Sequence, residues 1–95
     1  MSDLIRINTT NPPGNETEAA KYLARHLGSE GFKCELYESA PTRGSIITRI
    51  KGTGEKPNLL LLSHLDVVAA NAEEWSVDPF GGLIKEGFVW GRGAL

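Results

Sequence analysis

The chain has little of what would mark several protein classes. Its single cysteine, Cys34, excludes an internal disulfide, and an alternating apolar pattern around it predicts a buried structural thiol. Ten basic against twelve acidic residues give a net charge of −2, which offers no electrostatic basis for binding nucleic acid or an anionic membrane. Long apolar runs and a basic-then-apolar N-terminus are also missing. We therefore expect one small soluble domain, cytoplasmic, without a nucleic-acid or membrane partner.

Two helices are predicted in the first third of the chain. A short one is expected over residues 2–8, before a loop that contains two consecutive prolines. Asn15 is a good N-cap residue, and Glu18 completes a capping-box-like pattern with it. Apolar residues then recur at helical spacing, so a helix is predicted over residues 16–29, and Gly31 is suited to end it.

Strands are predicted after this helix. Alternation of apolar and polar residues indicates a half-buried strand over residues 32–38, and a second strand is expected over 45–51. The most hydrophobic segment, residues 58–64, predicts a strand that is covered on both faces, as in a parallel α/β sheet. Residues 71–82 have the composition of a loop, and residues 83–90 are compatible with a short hairpin.

A histidine and an aspartate follow the run of four leucines at residues 59–62. Ligands of α/β sheets gather beyond the carboxyl ends of the strands, where His64 stands. In an extended backbone, side chains at i and i+2 project to the same side, so Asp66 is placed to orient the imidazole. A carboxylate in that position fixes the tautomer and the ring angle of a metal-binding histidine. The pattern therefore makes His64 a candidate metal ligand and Asp66 its support.

Three motifs follow one another at compatible spacings in the second half of the chain, and the first of them contains His64 and Asp66. They are SHLDVV at residues 63–68, WSVDPFGG at 75–82 and GFVWGRGA at 87–94. Together with the earlier NPPGNE at 11–16, they make the chain similar to the M20 metallopeptidase family. That family includes acetylornithine deacetylase, succinyl-diaminopimelate desuccinylase, aminoacylase and carboxypeptidase G2.

The resemblance implies a fold and a place within a larger protein. The expected fold is α/β, the N-terminal part of a zinc-peptidase-like α/β/α sandwich with a mixed, mostly parallel central sheet. Residues 1–95 would be an N-terminal fragment of the catalytic domain, without the rest of that domain and without the lid or dimerisation domain. The full-length protein would be a homodimer.

The resemblance also implies the site and the chemistry. His64 would bind one of two zinc ions, with cobalt or manganese as possible alternatives, and Asp66 would support that histidine as the catalytic-site residue of this segment. The next family ligand, a bridging aspartate, would stand at position 96, and the catalytic glutamate later still. The full-length protein would hydrolyse amide bonds of N-acyl amino acids or small peptides. The 95-residue chain alone is expected to be inactive.

Other interpretations stay open from the residues alone. The chain could be a non-catalytic α/β binding module or a gene remnant, and Asp66 could be an ordinary turn residue. Arg92 could bind a substrate carboxylate, although a role in tying loop carbonyls near the site is preferred. With one long helix to cover a sheet that needs layers on both faces, the chain is also expected to self-associate.

Overall fold

The computed structural model describes residues 1–94, which form two helices and two separate pairs of strands. In chain order the elements are α1 (Ser2–Ile5), α2 (Glu16–Ser29), β1 (Cys34–Glu38), β2 (Gly44–Thr48), a 3₁₀ turn (Ala72–Glu74), β3 (Leu83–Lys85) and β4 (Phe88–Trp90). The protein is thus a small mixture of helix and strand, as expected for part of an α/β protein. No helix within the described residues has the length and apolar character required to cross a bilayer.

Helix α2 has the bounds that its apolar spacing predicts, but it begins differently from the prediction. Asn15 stands at the N-cap position, yet its side chain makes no capping bond and its amide donates to the Asn8 carbonyl at 3.5 Å. The Thr17 N–H donates instead to the carbonyl of Thr42, 3.0 Å away. A loop distant in sequence therefore takes over part of the capping. At the other end Gly31 adopts φ +86°, the left-handed conformation expected of it.

Strands β1 and β2 pair antiparallel, and α2 packs against them. The register sets Leu36 opposite Ile46 and Glu38 opposite Gly44. Gly44 is the point of closest approach, since a Cβ built there would lie 2.5 Å from the Cα of Thr17 in α2. Only a residue without a side chain allows the helix and the strand to approach this closely. Cys34, predicted to be buried, is half-buried at the start of β1.

Replacing Gly44 by alanine should separate α2 from β2, because the new methyl group would meet backbone atoms that cannot move aside. We expect a loss of about 1–3 kcal/mol in the free energy of unfolding, the usual cost of overpacking. Urea unfolding followed by helical circular dichroism measures it. Gly52→Ala is the matched control, since nothing lies within 4 Å of a Cβ at that position. Equal unfolding midpoints for the two variants would show that the contact carries no energy.

Strands β3 and β4 form the predicted hairpin. Lys85 pairs with Phe88, and the two residues between them, Glu86 and Gly87, have φ values of +56° and +80°. Positive φ at both central positions is the geometry of a type I′ turn, whose twist matches that of the flanking strands. The 3₁₀ turn lies in the loop that precedes the hairpin.

Helix α1 is shorter than the predicted helix over 2–8, and contacts with residues distant in sequence hold it in place. The Ser2 hydroxyl donates to the carbonyl of Gly82 at 2.5 Å, and the Arg6 guanidinium donates to the carbonyl of Gly81 at 3.1 Å. Ile5 is 6% exposed and approaches Gly91 closely. These contacts tie the N-terminus to the loops on either side of the β3–β4 hairpin.

The predicted strand over residues 58–64 is wrong for the described part of the chain, where this segment belongs to no strand. Its four leucines are 80–87% exposed. A buried strand needs partners on both edges and cover on both faces, and the segment finds neither among residues 1–94. Both strand pairs are antiparallel, and the one parallel pairing within these residues is an isolated bridge between Thr10 and Val67.

Candidate functional site

The imidazole of His64 and the carboxylate of Asp66 lie side by side. His64 Nδ1 is 3.1 Å from Asp66 Oδ1 and 2.7 Å from the Asp66 backbone oxygen. The His64 side chain is 83% exposed, whereas that of Asp66 is 32% exposed. The structure thus brings together the two residues that the sequence singled out. The carboxylate lies beside Nδ1, which is the ring nitrogen closer to the histidine's own backbone.

Asp66 is positioned by the parallel bridge between residues 9–11 and 65–67. The Asn11 N–H donates to the Val67 carbonyl at 2.8 Å, and the Val67 N–H donates to the Thr9 carbonyl at 3.2 Å. The Thr9 hydroxyl also donates to the Leu65 carbonyl at 2.7 Å. These bonds on both sides of Asp66 fix its backbone, although the leucine run before it is unpaired.

The Asn11 side chain then holds the Asp66 carboxylate directly. Its Nδ2 donates to Asp66 Oδ2 at 2.8 Å. This hydrogen bond is the main reason why the pKa of the Asp66 carboxyl lies below its usual range; partial desolvation opposes it, and the contact with His64 adds to it. Asp66 is therefore ionised at neutral pH and can only accept hydrogen bonds.

The tautomer of His64 follows from these partners. Both oxygens near Nδ1 are acceptors, so a neutral ring places its proton on Nδ1. The lone pair of the neutral ring is then on Nε2, at the outer end of an exposed side chain. Metal-binding histidines commonly use this arrangement, in which an acceptor holds one ring nitrogen and the other is available to the metal.

A cavity of about 840 Å³ adjoins this pair. Its lining combines side chains of β2, the unpaired leucine run, an ion pair and the site itself; among these are Ile46, Ile47, Leu61, Leu62, Arg43, Glu16, His64 and Asp66. Polar groups at an apolar depression are typical of small-molecule sites.

The donor atoms of residues 1–94 fit one metal ligand rather than a whole site. No group of three histidine, cysteine, aspartate or glutamate side chains converges within these residues. A catalytic zinc typically takes three protein ligands and a water, so a zinc ion bound here would need further ligands from outside this set. The other histidine, His26, is exposed on α2 and stacks on Tyr22 with ring centroids 6.4 Å apart, as expected for a surface residue.

Arg92 adopts the structural role that the sequence favoured for it. Its Nη2 donates to the carbonyl of Ala69 at 3.4 Å, and its guanidinium lies 5.1 Å from the ring centroid of Trp75. The Arg92 N–H donates to the Pro79 carbonyl at 2.7 Å. The residue joins the loop that follows Asp66 to the loop before β3.

Sequence reasoning missed three residues near the site. Asn11 and Glu16 stand in the NPPGNE motif that contributes to the family resemblance, but neither they nor Arg43 was given a role at the site. Arg43 Nη2 lies 2.8 Å from Glu16 Oε1, and Arg43 Nη1 lies 3.4 Å from Asn11 Oδ1. The motif singles out Asn11 and Glu16 but cannot indicate their partners, because these contacts join residues that are far apart in the sequence.

Comparison with known proteins gives relatives along almost the whole chain. The chain is 36% identical over 94 residues to aminoacylase-1 of Sus scrofa, covering 95% of this chain and 23% of that protein. It is 35% identical over 98 residues to succinyl-diaminopimelate desuccinylase of Pelagibacter ubique, covering 97% and 24%. It is 33% identical over 95 residues to N-formyl-4-amino-5-aminomethyl-2-methylpyrimidine deformylase of Bacillus subtilis, covering 96% and 22%.

The chain thus spans about a quarter of the length of the curated relatives it matches. No family model matches it. The curated relatives are nevertheless of one family, the same family that the motifs of residues 63–94 resemble. On the strength of this similarity along almost its entire length, the chain belongs to the M20 family.

Proposed function

We propose that residues 1–95 form the N-terminal part of the catalytic domain of a metal-dependent amidohydrolase. The complete domain would be the α/β/α sandwich of zinc peptidases, and the whole protein a cytoplasmic homodimer. The observation that carries the proposal is the His64–Asp66 pair, in which the backbone and carboxylate oxygens of Asp66 lie at Nδ1 and no residue among 1–94 bonds to Nε2. The names of the relatives, an acylase, a desuccinylase and a deformylase, support an amide substrate.

In this proposal each described residue has a limited task. His64 binds one metal ion through Nε2, and Asp66 keeps the imidazole in the required tautomer and orientation. The ion, when bound, supplies Lewis acidity toward a carbonyl oxygen and lowers the pKa of a water toward about 7. Two zinc ions are the proposed content of the complete site, with cobalt or manganese as alternatives, because imidazole and carboxylate ligands accept all three.

The substrate class follows from the same reasoning. We propose an N-acyl amino acid or a small peptide, cleaved at its amide bond. The names of two relatives, aminoacylase-1 and succinyl-diaminopimelate desuccinylase, support an acyl group on an amine nitrogen.

Amine release from a panel of N-acetyl, N-succinyl and N-formyl amino acids tests the function. The full-length protein should release amine, lose this activity when a chelator removes the metal, and regain it with zinc. The 95-residue chain should release none above the blank, since one histidine cannot hold a catalytic metal. A metal-loaded full-length protein that releases no amine from any member of the panel would favour the binding-module or remnant interpretation. Activity that follows the 95-residue chain through purification would contradict its proposed inactivity.

A further inference from the structure

Four side chains form an unbroken line of polar contacts that ends at the candidate metal ligand. Glu16 Oε1 lies 2.8 Å from Arg43 Nη2, and Arg43 Nη1 lies 3.4 Å from Asn11 Oδ1. Asn11 Nδ2 lies 2.8 Å from Asp66 Oδ2. Asp66 Oδ1 in turn faces the ring of His64. The line thus joins α2, the proline loop and the β1–β2 turn to the imidazole.

The two neighbours of the Asn11 amide determine which way it points. A guanidinium can only donate hydrogen bonds, and an ionised carboxylate can only accept them. The Asn11 oxygen must therefore face Arg43 and its NH₂ group must face Asp66. Rotating the amide by 180° would set donor against donor at Arg43 and acceptor against acceptor at Asp66.

Arg43 is itself held firmly enough to impose this choice. The Glu16 side chain is 7% exposed and that of Arg43 is 37% exposed, so the carboxylate of this ion pair is shielded from water and the guanidinium is partly shielded. Arg43 Nη1 also donates to the Pro13 carbonyl at 3.3 Å, in the same loop as Asn11. The planar fork of arginine makes these contacts at once, which a lysine could not do.

We propose that Asn11 is a positioning residue for His64, that it acts through Asp66, and that Arg43, anchored on Glu16, fixes the direction of the Asn11 amide. The NH₂ group of Asn11 occupies Oδ2 of Asp66 and directs Oδ1 toward the imidazole, where Oδ1 acts together with the Asp66 backbone oxygen, 2.7 Å from Nδ1, to keep the proton on Nδ1. The proposal rests on the proposed function in one respect, that the freed Nε2 is a metal ligand. The geometry that it describes does not need a metal.

The test is the tautomer of His64, read from the ¹⁵N shifts of its two ring nitrogens. The chain is labelled with [¹⁵N]histidine in a His26→Gln background, which leaves one imidazole. Spectra are recorded near pH 8.5, where an ordinary imidazole is neutral. Magic-angle spinning makes the measurement independent of self-association.

We expect the Nδ1–H form to dominate in this background, and Asn11→Ala to lower the ratio of Nδ1–H to Nε2–H by roughly fivefold, since a hydrogen bond to a charged group is lost. Arg43→Lys should lower it less, because the charge beside Glu16 is kept while the fork is not. Asn71→Ala is the matched control. Its Nδ2 also donates to a carboxylate, Glu74 Oε1 at 3.2 Å, and it has no hydrogen bond to His64 or Asp66 among the described residues. Its ratio should equal that of the background.

Helical circular dichroism shows whether each variant keeps α2. A folded Asn11→Ala chain with an unchanged ratio would overturn the proposal. If that variant loses its helix signal, Arg43→Lys decides, and an unchanged ratio there overturns the role of Arg43 and with it the proposal. Failure of the proposed function is a separate result, namely the expected tautomer ratios in a protein whose full-length form neither binds zinc nor hydrolyses amides.

Discussion

The 95-residue chain is expected to self-associate through the four leucines at residues 59–62. These side chains are 80–87% exposed and lie in a segment that belongs to no strand. Burial of a leucine side chain is worth about 1.5–3 kcal/mol, so four together offset much of the cost of association, which is about 4–15 kcal/mol. The unpaired backbone of the same segment adds a template for strand pairing with a second copy.

Sedimentation velocity of the parent chain and of a Leu60→Lys, Leu62→Lys variant measures this association. The parent should sediment as oligomers or larger species, and the variant should shift to monomer. Removing two leucines from the contact should weaken association by about two orders of magnitude or more. Thr53→Lys with Asn58→Lys adds the same charge at exposed positions nearby and should leave association unchanged. A sharply monomeric parent chain that melts cooperatively would contradict the prediction.

The second large effect is expected from His64 in the full-length protein of the proposed function. His64→Ala removes a metal ligand, so kcat/KM for an N-acyl amino acid should fall by more than about 100-fold. Asp66→Asn keeps the ligand but places an amide beside Nδ1. Residues that support a ligand typically contribute 10–100-fold to metal affinity or activity, so the Asp66 variant should lie in roughly that range.

The zinc content should be lowest in His64→Ala, higher in Asp66→Asn and highest in the parent protein. His26→Ala is the matched control, because it removes the other histidine, an exposed residue of α2 that stacks on Tyr22. Its activity and zinc content should match those of the parent. A His64→Ala protein with parental zinc content and parental kcat/KM would remove this residue from the site and leave the proposal without its central ligand.

The elements that sequence reasoning placed correctly are those whose signals are local. Helix α2 was predicted at its observed bounds because its apolar spacing and Gly31 act within a few residues of one another. The β3–β4 hairpin depends on the two residues of its turn, and the His64–Asp66 contact depends on a spacing of two. In each case the interactions that determine the structure lie within the segment itself.

The failures have the opposite character. An apolar run such as residues 59–62 becomes a buried strand only when other segments supply neighbours and cover, and residues 1–94 do not supply them. The sequence predicts that the Asn15 side chain caps α2. In the structure the carbonyl of Thr42, which is distant in sequence, accepts the Thr17 N–H of the first turn instead. Asn11 and Asp66 are 55 positions apart, and the sequence around either residue does not indicate that the two form a hydrogen bond.

The parallel bridge between Thr10 and Val67 also bears on where the length of this chain can change. It closes a long loop of chain at a fixed point, and the entropy of closing such a loop changes by only about 0.6 kcal/mol for each doubling of its length. The exposed turn at residues 52–57 lies inside this loop, between β2 and the leucine run. We therefore expect insertions and deletions in that turn to leave the contact between Asn11 and Asp66 almost unchanged, so that the turn can vary in length while the histidine stays in place.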